Sequence, residues 1–141
     1  MKRRANIVAL LVVTSSVSRA TAPLNEVVVT PKNEREYDFS ISLSGRNGSR
    51  SFVVYAPDRV KGDCVLGFSI AELKTISGTV IYSQLMELAP TKKLMEIRTE
   101  IGDPTHVLKL SLNYYCPGNH VLDGTQYVFS SADWQKSGRL Q

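Results

Sequence analysis

Apolar side chains return at every second position along much of this chain, the repeat of strands that bury one face and wet the other. Tyr37, Phe39, Ile41 and Leu43 alternate with Asp38, Ser40 and Ser42, and a polar stretch from Gly45 to Ser49 separates them from Phe52-Val53-Val54-Tyr55. Asn47-Gly48 lies in that stretch, and both residues tolerate the positive φ that a two-residue hairpin turn requires. Such a turn sets Leu43 opposite Phe52 and Ile41 opposite Val54, with both pairs on the face of Phe39. Turn chemistry and hydrophobic register therefore predict the same hairpin.

Cys64-Val65-Leu66-Gly67-Phe68-Ser69-Ile70 continues the alternation and predicts Cys64, Leu66, Phe68 and Ile70 on one side. His106 to Cys116 does the same with Leu108, Leu110, Leu112, Tyr114 and Cys116, so each cysteine points with an apolar stripe. Glu26 to Thr30, Thr79 to Leu88 and Gln126 to Ser130 are further strand candidates, the last behind the turn dipeptide Asp123-Gly124. Ala71 to Ser77 reads as a short helical turn, because Ser69 and Glu72 stand at capping-box spacing.

Lys92 to Ile101 fits two periods. Leu94, Ile97 and Ile101 recur at helical spacing, with Thr91 as a cap and Gly102 and Pro104 as a stop. Read instead as a strand, Met95, Ile97 and Ile101 face Leu112, Leu110 and His106 across the turn Gly102 to Thr105, and this reading is preferred because it extends an existing buried side. The elements together predict an all-β protein, an antiparallel β-sandwich of about seven or eight strands. A small β-barrel, or an α+β fold with a helix near residues 91–101, is the alternative.

The first 20 residues break the pattern. Lys2, Arg3 and Arg4 precede an apolar run from Ala5 to Val13, then a polar stretch and Ala20 with the small Ser18 two positions earlier, the layout of a secretory signal peptide cleaved after Ala20. The apolar run is far shorter than the roughly 20 residues that span a bilayer. Residues 21–141 then form one domain, with a frayed polar tail from about Gln135.

Cleavage also removes Lys2, Arg3, Arg4 and Arg19, so the 17 basic residues of the whole chain become 13, against 13 acidic ones. A balanced chain lacks the basic footprint that nucleic-acid or anionic-membrane partners select, and neither partner is expected. Lys92-Lys93 and the stretch from Arg46 to Arg50 read as charges on solvated turns. Cys64 and Cys116 are the only cysteines, and export makes one structural disulfide between them the expectation. The Tyr114-x-Cys116 spacing resembles the tyrosine corner of immunoglobulin-like sandwiches, although no tryptophan lies between the two cysteines and Pro117-Gly118 follows directly.

Candidate chemistry is sparse. Gly67-Phe68-Ser69-Ile70-Ala71 partly matches a nucleophile elbow, a motif that belongs on a strained strand-to-helix turn. His106 and His120 each have an aspartate, Asp103 and Asp123, three residues away, which is the material for a small hydrolase site. Asn47-Gly48-Ser49 is also an N-glycosylation acceptor sequence. No cofactor, metal or catalytic residue is assigned. Tyr55, Tyr82, Tyr115, Tyr127 and Trp134 are the candidate binding aromatics, which would form a platform if one face of the sandwich left them exposed.

These readings lead to a secreted or periplasmic β-domain that binds a protein or envelope component, edge-strand pairing being one mode. A structural or assembly subunit, and a small hydrolase using His106 or His120, are the alternatives.

Overall fold

The alternating segments fold as strands because each carries an apolar face that only a second layer can cover. The computed structural model describes residues 25–46, 48–91, 94–117 and 124–138. The signal peptide expected at residues 1–20, Asn47, Lys92-Lys93, His120 and Asp123 lie outside them. Two sheets enclose one core, in an all-β fold.

The four-stranded sheet is built on the hairpin of β2 (Ser40–Arg46) and β3 (Ser49–Ala56). Its register sets Leu43 opposite Phe52 and Ile41 opposite Val54, as the turn chemistry implies. Tyr37 is not part of β2, contrary to the alternation. Glu34–Tyr37 form a 3-10 turn, and Asp38 at φ 60° interrupts the extended backbone before Ser40.

The ambiguous segment is a strand, β8 (Met95–Ile101), with Ile97, Thr99 and Ile101 directed inward. Its partner differs from the one expected. β8 pairs with β3 on one side and with the short β7 (Ala89–Pro90) on the other, while residues 102–105 carry the chain into the opposite sheet. Both edges of β9 (His106–Tyr115) are already taken by β5 (Cys64–Thr75) and β10 (Gly124–Ser130), so β8 faces β9 across the core instead of beside it.

The six-stranded sheet runs from β1 (Asn25–Val29) through β10 and β9 to β5, and the far edge of β5 is shared by β4 (Arg59–Val60) and β6 (Val80–Met86). β1 lies parallel to β10, so the sandwich is mixed and not wholly antiparallel. The parallel direction lets β1 set Val27 and Val29 beside Tyr127 and Phe129 and then pass through the 3-10 turn into the other sheet. Counting the two-residue β4 and β7, the described residues hold ten strands, eight of them longer.

One bulge overturns the predicted facing of β5. Leu66 pairs with Tyr114 and Phe68 with Asn113, leaving Gly67 unpaired between them. An extra residue shifts a period-two pattern by one, so Ser69, Ala71 and Leu73 point inward while Phe68 and Ile70 move to the outer face. The strand continues to Thr75, and the helical turn expected at 71–77 does not form. Glu72 and Lys74 pair across 3.1 Å on the outer side, opposite the buried Ala71 and Leu73, a strand pattern that excludes a Ser69–Glu72 cap.

The core interleaves Leu43, Phe52, Val54 and Ile97 from one sheet with Leu110, Leu112, Tyr114 and Phe129 from the other. After β10, the short helix α1 (Ser131–Lys136) turns Trp134 back over the end of the core. Its indole packs edge-on against Phe52, at 5.8 Å between centroids, and tilts against Phe129 at 6.3 Å. Gln135 and Lys136 belong to this helix and not to a frayed tail.

The disulfide joins Cys64 and Cys116, with Cα atoms 3.9 Å apart, one position beyond the Val65–Tyr115 pair. It therefore ties two neighbouring strands of one sheet at the margin of the core and does not cross between layers. Tyr114 also departs from a tyrosine corner, whose hydroxyl bonds the backbone a few residues upstream: here it donates at 2.7 Å to the Pro57 carbonyl, 57 positions away, pinning the connection that leaves β3.

Candidate functional site

β6 reads Val-Ile-Tyr-Ser-Gln-Leu-Met, with no charge, no proline and no glycine. It pairs with β5 through Leu73–Tyr82, Glu72–Ser83, Ala71–Gln84, Ile70–Leu85 and Ser69–Met86. Among the described residues no strand pairs with its other edge. Natural sheets blunt such edges with lysines, prolines or a covering segment, and β6 has none of these within its length.

Its side chains are as uncovered as its backbone. Leu85 is 73% exposed, Val80 49%, Ile81 46% and Tyr82 38%, and Ile76 in the preceding turn is 76% exposed. Ile81 is also skipped by β5, because the register steps from Leu73–Tyr82 to Lys74–Val80. The strand is anchored at its far end, where the half-buried Met86 sulfur accepts from Thr99 Oγ1 at 3.9 Å. Large apolar groups in one cluster on a free edge mark an interaction surface far more often than scattered ones do.

The outer face of the six-stranded sheet continues from this edge. The registers align Leu85, Ile70, Ser111, Val128 and Val28 in one row across β6, β5, β9, β10 and β1. Val128 and Ser111 in the middle are shielded by their neighbours, whereas Leu85 and Val28 at the ends are exposed. Beside that row, Phe68 and Tyr115 lie 5.8 Å apart, and the Tyr115 ring covers the bulge at Gly67 so closely that an added Cβ would meet its Cε2 at 2.4 Å. Gln126 Nε2 donates to Asn113 Oδ1 at 3.2 Å in the next row.

The five candidate aromatics do not converge. Tyr127 is buried against Phe39, Tyr37 and Tyr114, and Trp134 is fully buried, so neither is available to an exposed platform. Tyr55 is half-buried on β3, Tyr115 is on the outer face of the other sheet, and Tyr82 lies on the β6 edge. Burial pushes the phenol of Tyr127 up, and that of Tyr114 far up, so both act as neutral core residues.

The histidine sites are likewise local. His106 Nε2 is 3.6 Å from Asp103 Oδ2, but the other carboxylate oxygen accepts from the Thr105 hydroxyl and amide, each at 2.7 Å, and those bonds hold the Asp103 carboxyl below its usual range. Asp103 thus shapes the turn into β9. Ser69 lies inside a continuous antiparallel strand with its hydroxyl in the core, not on an elbow. No cluster of three metal-ligating side chains occurs among the described residues.

Arg50 is the largest departure from the reading of the basic stretch. It is 6% exposed, and its guanidinium donates to the carbonyls of Pro104 at 2.9 Å and His106 at 2.7 Å and to Gln135 Oε1 at 2.7 Å. It clasps the turn before β9 to α1.

The sequence reading held Thr79 to Leu88 as a strand and Tyr82 as a binding aromatic but did not single out Val80, Ile81 and Leu85, although a signal was present: Val80-Ile81-Tyr82 and Leu85-Met86 are an apolar triplet and an apolar pair that do not alternate. Among the described residues no helix is long and apolar enough to cross a membrane. No family model, curated protein or solved structure matches the chain.

Proposed function

We propose that this protein is an exported, disulfide-bridged β-sandwich that acts by binding another polypeptide, with the free edge of β6 as the docking rim. The observation that carries this reading is the conjunction at β6 of an unpaired backbone edge, a wholly uncharged sequence and apolar side chains exposed on the same seven residues. Backbone hydrogen bonds to an added strand supply affinity in such a site, and the flanking apolar groups select the strand. The expected occupant is an extended, uncharged segment with apolar residues to match Ile81 and Leu85. The Cys64–Cys116 bridge supports a location where thiols are oxidised.

The test immobilises the mature, oxidised protein and challenges it with the envelope and medium of its own source. A protein retained by the wild type and lost from Leu85→Lys, with backbone amides of residues 81–85 slowed in hydrogen exchange while it is bound, supports the reading. Retention unchanged by the lysine overturns it.

A further inference from the structure

We infer that the strand laid against β6 is β6 of a second copy, running antiparallel about a twofold axis through Ser83. This inference rests on the reading of the β6 edge as a docking rim and names its occupant.

Symmetry limits the choices. Two copies of one strand can pair antiparallel only about an axis perpendicular to the sheet, which keeps inner faces with inner faces and so allows only registers that set like-facing residues opposite each other. The axis through Ser83, the middle residue of Val80–Met86, is such a register for the stretch from Ile81 to Leu85. It sets Ile81 opposite Leu85 of the second copy, twice, once on each side of the axis. These are the residues β5 leaves least satisfied: Ile81 has no partner on β5, and Leu85 is 73% exposed. Tyr82 meets Gln84 and the small Ser83 meets itself on the axis, while Val80 and Met86 fall outside the matched stretch, because β5 sets Val80 beside the outward Lys74 and Met86 beside the inward Ser69.

Charge permits the same pairing. A strand that pairs with itself must carry no like charges that meet, and Val80–Met86 carries none. Glu87 lies beyond the end of β6 and outside the matched stretch, and Lys74 and Glu72 on β5 already neutralise each other at 3.1 Å. The outer apolar row of Val28, Val128, Ile70 and Leu85 then runs on through Ile81 of the second copy. Closure about a twofold uses both free edges and leaves neither to recruit a third chain.

The matched stretch from Ile81 to Leu85 offers an edge about 17 Å long. That is at the small end of protein interfaces, so dimerisation is expected in the range of about 1–100 µM.

The experiment places single cysteines on the mature, oxidised protein, whose own two cysteines are already bridged. Ser83 is exposed and close to cysteine in size, so Ser83→Cys disturbs the fold little. Only the residue on the axis faces its own copy: Ser83→Cys should couple to itself at least tenfold faster than Ile81→Cys or Leu85→Cys alone, while a mixture of those two should couple to each other. Sedimentation equilibrium should show the wild-type mass doubling with concentration and Leu85→Lys raising the dissociation constant at least tenfold. Equal coupling at all three positions, or a wild type that stays monomeric throughout, overturns the inference. If a monomeric wild type still retains an envelope protein that Leu85→Lys loses, the second copy is wrong and the docking rim stands; if retention ignores the lysine, both fall.

Discussion

Replacing Arg50 with methionine should destabilise the fold by about 2–4 kcal/mol, although a basic residue beside a hairpin turn ordinarily contributes little. The side chain lies on β3 opposite Ile101 and is nearly excluded from water. Its Nη2 donates at 2.9 Å to the Pro104 carbonyl and at 2.7 Å to the His106 carbonyl, with a longer contact of 3.4 Å to Asp103, while Nη1 donates at 2.7 Å to Gln135. Hydrogen bonds to a charged group contribute about 1.5–3 kcal/mol each, so the two short carbonyl bonds alone set a gross loss of about 3–6 kcal/mol. Two effects reduce it. The turn from Gly102 to Thr105 is exposed, so water replaces part of the lost bonding, and methionine relieves the cost of burying a guanidinium. Arg50→Lys should be no better than Arg50→Met, because a single ammonium cannot reach the turn carbonyls and Gln135 together while its charge stays buried. Urea unfolding with an unchanged m-value measures both, and hydrogen exchange should quicken first near His106 and residues 135–138. An Arg50→Met protein within about 0.5 kcal/mol of wild type would refute the reasoning, since solvated surface sites behave that way.

Alkaline pH offers a second check. The Tyr114 phenol is held protonated in the fold but ionises near pH 10 when unfolded, so stability should fall above pH 10 by up to about 1.4 kcal/mol per unit. Tyr114→Phe should lose about 0.5–1.5 kcal/mol at pH 7 with the bond to Pro57 and show a shallower alkaline fall, Tyr127 supplying the remainder; an unchanged slope in urea titrations up to pH 11 counts against it. Gly67→Ala should cost about 1–3 kcal/mol by thermal unfolding, and much of that cost should vanish in a Tyr115→Ala background, because the ring over the bulge is what the methyl strikes. Removing the bridge as Cys64→Ala with Cys116→Ala should cost about 4 kcal/mol for a loop of 52 residues, read from the urea midpoint.

What the chain made legible was local. The hairpin of β2 and β3 followed from Asn47-Gly48 and the spacing of Ile41, Leu43, Phe52 and Val54, all within a short stretch whose turn dictates its own register. The inward stripe of Leu108, Leu110, Leu112 and Tyr114 and the pairing of the only two cysteines were equally readable. The candidate site was not. Tyr127 and Trp134 share their residue types with surface aromatics, and only the layer above each decides that they are core.

Alternation and turn dipeptides determined which segments become strands, because backbone geometry and side-chain period act over a few residues. Three matters awaited the assembled sheets: that β8 joins β3 instead of β9, that Gly67 under Tyr115 reverses the facing of β5, and that β6 keeps an open edge while Arg50 is enclosed. Each depends on which distant strand takes an edge or covers a face, and neighbouring residues do not decide that competition among non-local pairings; even the unalternating Val80-Ile81-Tyr82 marks a strand without saying that its edge stays open.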